Sequence, residues 1–129
     1  MEDLVTFDGA FAGRRVFVTG HTGFKGSWLT AWLLDLGADV TGYALPPDTD
    51  PNLFDALGLA EEVRHITADV RDREKLMSEM VRARPSVVFH LAAQPLVRLG
   101  YAEPHRTFAT NVMGTVDVLE AVRACESVT

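Results

Sequence analysis

The apolar positions of the chain alternate between two rhythms. Four short runs, rich in β-branched and aromatic residues, read as buried strands: Arg14–Thr19 (RRVFVT), Ala38–Leu45 (ADVTGYAL), Arg64–Ala68 (RHITA) and Ser86–Leu91 (SVVFHL). Between them the spacing changes to three and four. Trp28, Leu29, Trp32, Leu33 and Leu36 predict a helix over Ser27–Leu36, stopped by Gly37, with both tryptophans as core anchors. Asp72 is a predicted N-cap for a helix to Ala83, with Leu76, Met77, Met80 and Val81 on one side. Pro104 opens a last predicted helix to about Cys125, whose face is Phe108, Val112, Thr115, Val116 and Leu119. The segment Pro46–Leu59 reads as a surface excursion with a short helix around Leu53–Leu57, and Ala92–Ala102 as a loop.

Strands that alternate with helices pair in parallel through right-handed crossovers, so the predicted fold is α/β, a doubly wound parallel sheet. About four strands with flanking helices are fewer than the six of a complete dinucleotide-binding fold. The expectation is an incomplete, Rossmann-like sheet in which residues 1–129 are the N-terminal part of such a domain.

Composition narrows the classes. With 47% hydrophobic and 23% charged residues, the chain has the balance of a globular protein, and its 129 residues fit one domain. Its formal net charge of −6 argues against nucleic acid or an anionic membrane as the main partner. The single cysteine, Cys125, excludes an internal disulfide and a cysteine-cluster zinc site. No apolar run approaches a membrane span, and the opening MEDLVTFDGAFAGRR has no apolar core of a secretory signal. A cytoplasmic protein is expected.

The sharpest chemical feature is Thr19-Gly20-His21-Thr22-Gly23-Phe24-Lys25-Gly26, directly after the first strand and opening the first helix. Gly20 allows a tight turn, Gly23 lets backbone approach a pyrophosphate, and Gly26 permits close helix–strand packing. A helix N-terminus there offers unpaired N–H groups to the anion, and Lys25 adds a cation. His21 sits in this loop, where contact with cofactor or substrate is expected.

The other positions carry less. At the end of the second strand, where a carboxylate usually binds the adenosine ribose, stands Ala44. No arginine near it would hold a 2′-phosphate, so NAD is favoured over NADP. Asp69 ends the third strand, either as an acceptor for an adenine amino group or as a turn carboxylate. Ala92, Ala93 and Gln94 put small residues where a cofactor would pass the backbone after the fourth strand. His90 reads as a satisfied core histidine, His65 and His105 as surface or packing residues, and Cys125 as a packed helix residue. No histidine pair has metal-ligand spacing with a carboxylate, so no metal site is expected.

Together TGHTGFKG, DVRD, HLAAQP and TNVMGT resemble the extended short-chain dehydrogenase/reductase family, the NAD-dependent epimerases and dehydratases. HTGFKGSWL, VTGYALPPDTDPNLF and HLAAQPLVRLGY are similar to the CDP-glucose branch of its 4,6-dehydratases, over about Arg14–Arg123. The resemblance implies a lyase with bound NAD that oxidises the sugar at C4, removes water across C5–C6 and returns hydride to C6. The product is a precursor of dideoxy sugars in bacterial surface polysaccharides. It also implies Gly20, Gly23, Phe24, Lys25 and Gly26 at the pyrophosphate, and Asp69 and Val70 at the adenine. Ala92, Ala93 and Gln94 would lie beside the nicotinamide-side ribose, and Asn111 matches the family's helix asparagine. Gly100 replaces a serine expected before Tyr101. Family members commonly dimerise through helices, so a homo-oligomer is implied.

The family's base and its partner, Tyr-x-x-x-Lys, are missing: four residues after Tyr43 is Pro47, and four after Tyr101 is His105. The expectation is the cofactor-binding part of such an enzyme, inactive alone, with catalytic and sugar-nucleotide-binding residues beyond Thr129. Another nucleotide-sugar epimerase or dehydratase, and a non-catalytic NAD-binding module, remain as alternative readings.

Overall fold

A computed structural model describes residues 6–129; residues 1–5, the start of the segment read above as lacking a secretory signal, lie outside the described residues. A 3-10 turn at Phe7–Gly9 precedes β1 (Arg15–Thr19), α1 (Phe24–Asp35) and β2 (Asp39–Ala44). Two short helices, α2 (Leu53–Ala56) and α3 (Leu59–Glu62), lead into β3 (Arg64–Thr67), α4 (Arg73–Ala83) and β4 (Val87–His90). The chain then forms α5 (Val97–Ala102), α6 (Pro104–Phe108), a π turn at Ala109–Met113 and α7 (Gly114–Ala124).

The sheet is parallel throughout, in the order β3-β2-β1-β4. After β1 the chain winds outward to β3, then crosses back to β4 on the other side of β1. The reversal opens a crevice between the C-terminal ends of β1 and β4, the usual ligand position in sheets of this kind. Both faces are covered, as parallel pairing demands. Val16, Val18 and Val40 face Leu33 of α1, while Phe17 and Tyr43 face Leu76 and Met80 of α4 and Val118 and Ala121 of α7. Period-two alternation along β1 thus feeds two separate cores. Among the described residues no helix is long and apolar enough to cross a membrane.

The four strands lie within a residue of their predicted bounds, and Asp72 caps α4 by accepting from the Lys75 N–H. Several expectations change. Helix α1 starts at Phe24, three residues before its predicted start, because the glycine loop itself forms its N-terminus. Its buried positions are Gly26, Ser27, Thr30 and Leu33, so Trp28 and Trp32 are not core anchors and stand 56% and 45% exposed. Trp32 stacks instead against Phe7. The predicted Ala92–Ala102 loop contains α5. The last predicted helix is divided by a π turn, and its predicted apolar face is largely open: Phe108, Val112, Val116 and Leu119 are exposed, while Gly114, Val118 and Ala121 meet the core.

Candidate functional site

The loop after β1 is built by close approaches that only glycine permits. Gly20 has φ +77°, and a Cβ there would stand 2.6 Å from the Ala92 nitrogen. A Cβ on Gly26 would overlap the Gly20 carbonyl oxygen, so α1 lies hard against the turn. Gly23 differs: a Cβ there would meet only the Gly20 oxygen, at 3.5 Å, and the space beyond it is open. Gly23 also occupies the N-cap of α1 in extended conformation with no side chain to cap the helix. The N–H groups of the first turn, over Phe24, Lys25 and Gly26, therefore have no side-chain cap, and the positive end of the helix dipole lies behind them. Lys25 is exposed beside them. Thr22 Oγ1 donates to the Leu45 carbonyl at 2.8 Å, and Ser27 Oγ donates to the His21 carbonyl at 3.1 Å, fixing both flanks of the loop.

The His21 side chain does not face that helix end. It is fully buried and turned back against β2 and α2, with Nε2 2.8 Å from Nδ1 of His65 and Phe54 edge-on at 5.3 Å. Burial, and secondarily the neighbouring His65, push its pKa down to about 4, so it is neutral at pH 7. Its Nδ1 has no hydrogen-bond partner. The expectation that His21 meets cofactor or substrate is corrected: the turn at Gly20 aims the ring into the sheet. His65 is accordingly a packing residue.

At the end of β3 the chain turns through Asp69–Asp72. The Tyr43 hydroxyl, buried and raised in pKa by burial and then by Asp72, Asp69 and Glu79, donates to the Asp69 carbonyl at 3.0 Å. Asp69 directs its carboxylate outward, against Arg71 at 2.7 Å. The Arg71 hydrogen bonds hold that carboxyl below its ordinary pKa, leaving it an acceptor without a proton. Val70 is 4% exposed, and its side chain packs toward α7, where a Cβ on Gly114 would stand 3.0 Å from it.

At the end of β4 a hydrogen-bonded series joins the sheet to the last helices. Thr19 and His90 are register partners across β1 and β4, and Thr19 Oγ1 lies 2.6 Å from His90 Nδ1. His90 Nε2 lies 3.1 Å from Thr115 Oγ1, which donates to the Asn111 carbonyl. Because the Thr115 proton is committed, His90 must donate from Nε2 and accept at Nδ1 from Thr19. That tautomer is neutral, in keeping with the lowering of its pKa by burial. Thr19 Oγ1 in turn accepts from the N–H groups of Leu91 and Ala92. Asn111 grips the Gln94 backbone at both ends, accepting from its N–H at 2.8 Å and donating to its carbonyl at 3.1 Å. The Gln94 amide closes on Leu96 and Thr107.

Gly20, Gly23, Phe24, Lys25, Gly26, Asp69, Val70, Ala92, Ala93 and Gln94 thus follow the C-terminal ends of β1, β3 and β4, with β2 between β3 and β1, and Asn111 joins them through Gln94. Within that set, the side-chain groups of Gln94 and Asn111 are engaged inside the chain. Thr19, Tyr43, Arg71 and Thr115 contribute to the site's framework through these hydrogen bonds, a role the sequence reading assigned to none of them. Among the described residues no three His, Cys, Asp or Glu side chains gather as metal ligands.

A family model described as GDP-mannose 4,6 dehydratase matches residues 17–129. The CDP-glucose 4,6-dehydratase of Salmonella typhimurium is 55% identical over 111 residues, covering 86% of this chain and 31% of that protein. The UDP-glucose 4-epimerase of Mycolicibacterium smegmatis is 36% identical over 110 residues, covering 84% and 34%. The crystal structure of the Thermus thermophilus UDP-glucose 4-epimerase complexed with NAD has a TM-score of 0.73 at 31% identity, covering 85% of this chain and 34% of that one. The chain spans about a third of the length of these relatives. With its glycine loop, its 3-2-1-4 sheet and that match, the chain belongs to the GDP-mannose 4,6-dehydratase family.

Proposed function

We propose that the chain is the NAD-binding portion of a CDP-glucose 4,6-dehydratase. The observation that carries the reading is the uncapped N-terminus of α1 behind Gly23, set in the crevice where the sheet order reverses. A cradle closed by Gly20 and Gly26 and open at Gly23 fits a pyrophosphate: backbone can approach it, and no side chain fills it. The 55% identity to the Salmonella typhimurium enzyme supports CDP-glucose over other nucleotide sugars.

In this reading the N–H groups of Phe24, Lys25 and Gly26 hold the pyrophosphate, with the Lys25 ammonium supplying further positive charge. The Asp69 carboxylate accepts from the adenine amino group, beside the Val70 backbone. Ala92 and Ala93 leave room for the second ribose, while Asn111 keeps the Gln94 backbone in place beside them. Ala44 leaves the adenosine ribose without a carboxylate partner at the end of β2. Bound there, NAD would supply the hydride-transfer chemistry for oxidation at C4 and reduction at C6 of the sugar, on either side of the loss of water across C5–C6. The tyrosine–lysine pair that drives the proton transfers, and the sugar-nucleotide site, belong to a segment outside these residues.

Equilibrium dialysis of the chain against NAD, followed by incubation with CDP-glucose and assay for a 4-keto sugar, tests both halves. NAD retention without keto product is expected. Failure to retain NAD overturns the binding assignment, and turnover by the chain alone overturns the placement of the catalytic pair elsewhere.

A further inference from the structure

The pair His21–His65 ties the glycine loop to β3. His21 Nε2 lies 2.8 Å from His65 Nδ1, and His65 Nε2 lies 3.3 Å from Thr67 Oγ1 on the same strand. Two arrangements of protons satisfy the short contact. In one, His21 donates from Nε2 and His65 accepts at Nδ1. In the other, His65 donates and His21 carries its own proton on Nδ1. That Nδ1 is buried with no hydrogen-bond partner, so the second arrangement strands an N–H in the interior, while the first leaves only a lone pair there. A stranded donor is the costlier of the two. The first arrangement therefore holds, and it needs a bare Nδ1 on His65, hence a neutral ring. The His21 ring has no room to turn aside, because Gly42 closes one side and Phe54 stands edge-on at another. Its main chain is held as closely: Ser27 Oγ donates to its carbonyl, and a Cβ on Gly26 would stand 2.8 Å from its Cα. The ring and the first turn of α1 move as one piece.

We propose that His65 is a positioning residue for the dinucleotide site: by accepting from His21 it holds the glycine loop and the start of α1 in the geometry that binds pyrophosphate, and a proton on His65 releases them. This rests on the NAD reading above. A protonated His65 presents an N–H to the N–H of His21. His21 then either moves its proton to Nδ1, where nothing accepts it, or swings its ring and carries the loop with it. His65 is only half-buried, so protons reach it from solvent, and histidine is the side chain that changes charge between about pH 5 and 8. No other charge intervenes. Along β3 the side chains alternate, so Arg64 turns to Glu79 of α4 while His65 and Thr67 lie on the side of the glycine loop. Asp55 of α2 is engaged by Asn52, and Glu61 and Glu62 of α3 are exposed. Among the described residues, His65 is the one titratable group that bears on the charge of His21.

The test measures NAD binding to the 129-residue chain by calorimetry at about pH 8 and about pH 5.5, with thermal unfolding at each to establish that the chain is folded. Wild type is expected to bind about tenfold more weakly at the lower pH, the value of one unpaired buried donor. His65→Asn sets an amide oxygen where Nδ1 stands and takes up no proton. It is expected to match wild type at the higher pH within about threefold and to keep that affinity at the lower. His65→Leu lacks the acceptor and is expected to bind about tenfold more weakly at both. If the leucine variant does not fold, the contrast between wild type and His65→Asn decides the matter. A merely structural role predicts a pH profile that His65→Asn leaves unchanged, which overturns the proposal. Wild-type binding that is the same at both pH values also overturns it and leaves the NAD reading intact. Binding at neither pH overturns both. A readout independent of NAD is the long-range nitrogen–proton NMR correlation of His21 at the higher pH. A proton on Nε2 is expected, and a proton on Nδ1 overturns the proposal.

Discussion

Gly42, in the middle of β2, lies directly beneath the imidazole of His21, and a Cβ on Gly42 would overlap the ring. A strand-interior glycine ordinarily weakens a sheet; here its missing side chain is the space in which the glycine loop's histidine is stored. Gly42→Ala is expected to destabilise the chain by about 2–3 kcal/mol through overpacking. Most of that loss should disappear in the double variant Gly42→Ala/His21→Ala. Urea unfolding of the two single variants and the double variant measures the coupling, and strictly additive losses would contradict the contact.

Acid should loosen the same cluster. His21 is buried neutral, with its pKa lowered from 6.5 to about 4. In the unfolded chain it takes a proton near 6.5, so the unfolded state binds more protons between those values. The stabilisation is complete above pH 6.5 and is lost as pH falls toward 4. Between pH 7 and 5 the contribution from His21 is about 2 kcal/mol. Unfolding titrations at the two pH values should show that difference in the wild-type chain and a smaller one in His21→Asn.

Gly23 and Gly26 should separate binding from folding. Gly26→Ala forces α1 away from the Gly20 carbonyl and is expected to lower both stability and dinucleotide affinity. A methyl on Gly23 meets only an ordinary contact at 3.5 Å, so Gly23→Ala should unfold within about 1 kcal/mol of wild type. It should nevertheless bind NAD at least about tenfold more weakly, because the methyl would stand where the proposed pyrophosphate contact needs close approach to the backbone. Dialysis and urea unfolding on the same samples distinguish the two effects.

The Thr19 hydroxyl joins β1 to β4. Thr19→Val keeps the shape but strips His90 Nδ1 of its donor and the Ala92 N–H of its acceptor; the Leu91 N–H retains the Thr19 carbonyl at 3.0 Å. Two partly buried groups left unpaired predict a loss of about 1–3 kcal/mol. Thr19→Ser, which restores the hydroxyl, should stay within about 1 kcal/mol of wild type. Equal losses in the two variants would show that packing, not hydrogen bonding, holds the junction.

Much of this molecule is local enough to be read along the chain. The strand runs end where Gly20, Pro46 and Asp69 follow, the Asp72 cap lies three residues before the N–H it accepts, and the glycine spacing is a property of one turn and one helix start. These features depend on neighbours within a few residues, so sequence by itself determined the α/β fold class, the succession of strands and helices and the position of the glycine loop. Periodicity also established which residues of a helix share a side.

It did not establish which side the sheet would take. In α1 the contact of Gly26 with Gly20 sets the helix's rotation, which turns Ser27, Thr30 and Leu33 inward and leaves Trp28 and Trp32 outside despite their greater apolar area. The partners of His21, Thr19 and Asn111 stand 44, 71 and 17 residues away, and strand register or the π turn brings each pair together. Hydrogen bonds are short-ranged and directional, so a shift of one residue in register would have given each of these side chains a different partner or none. Only the tertiary structure decided that His21 is stored beneath the loop and that Asn111 and Gln94 brace its far wall.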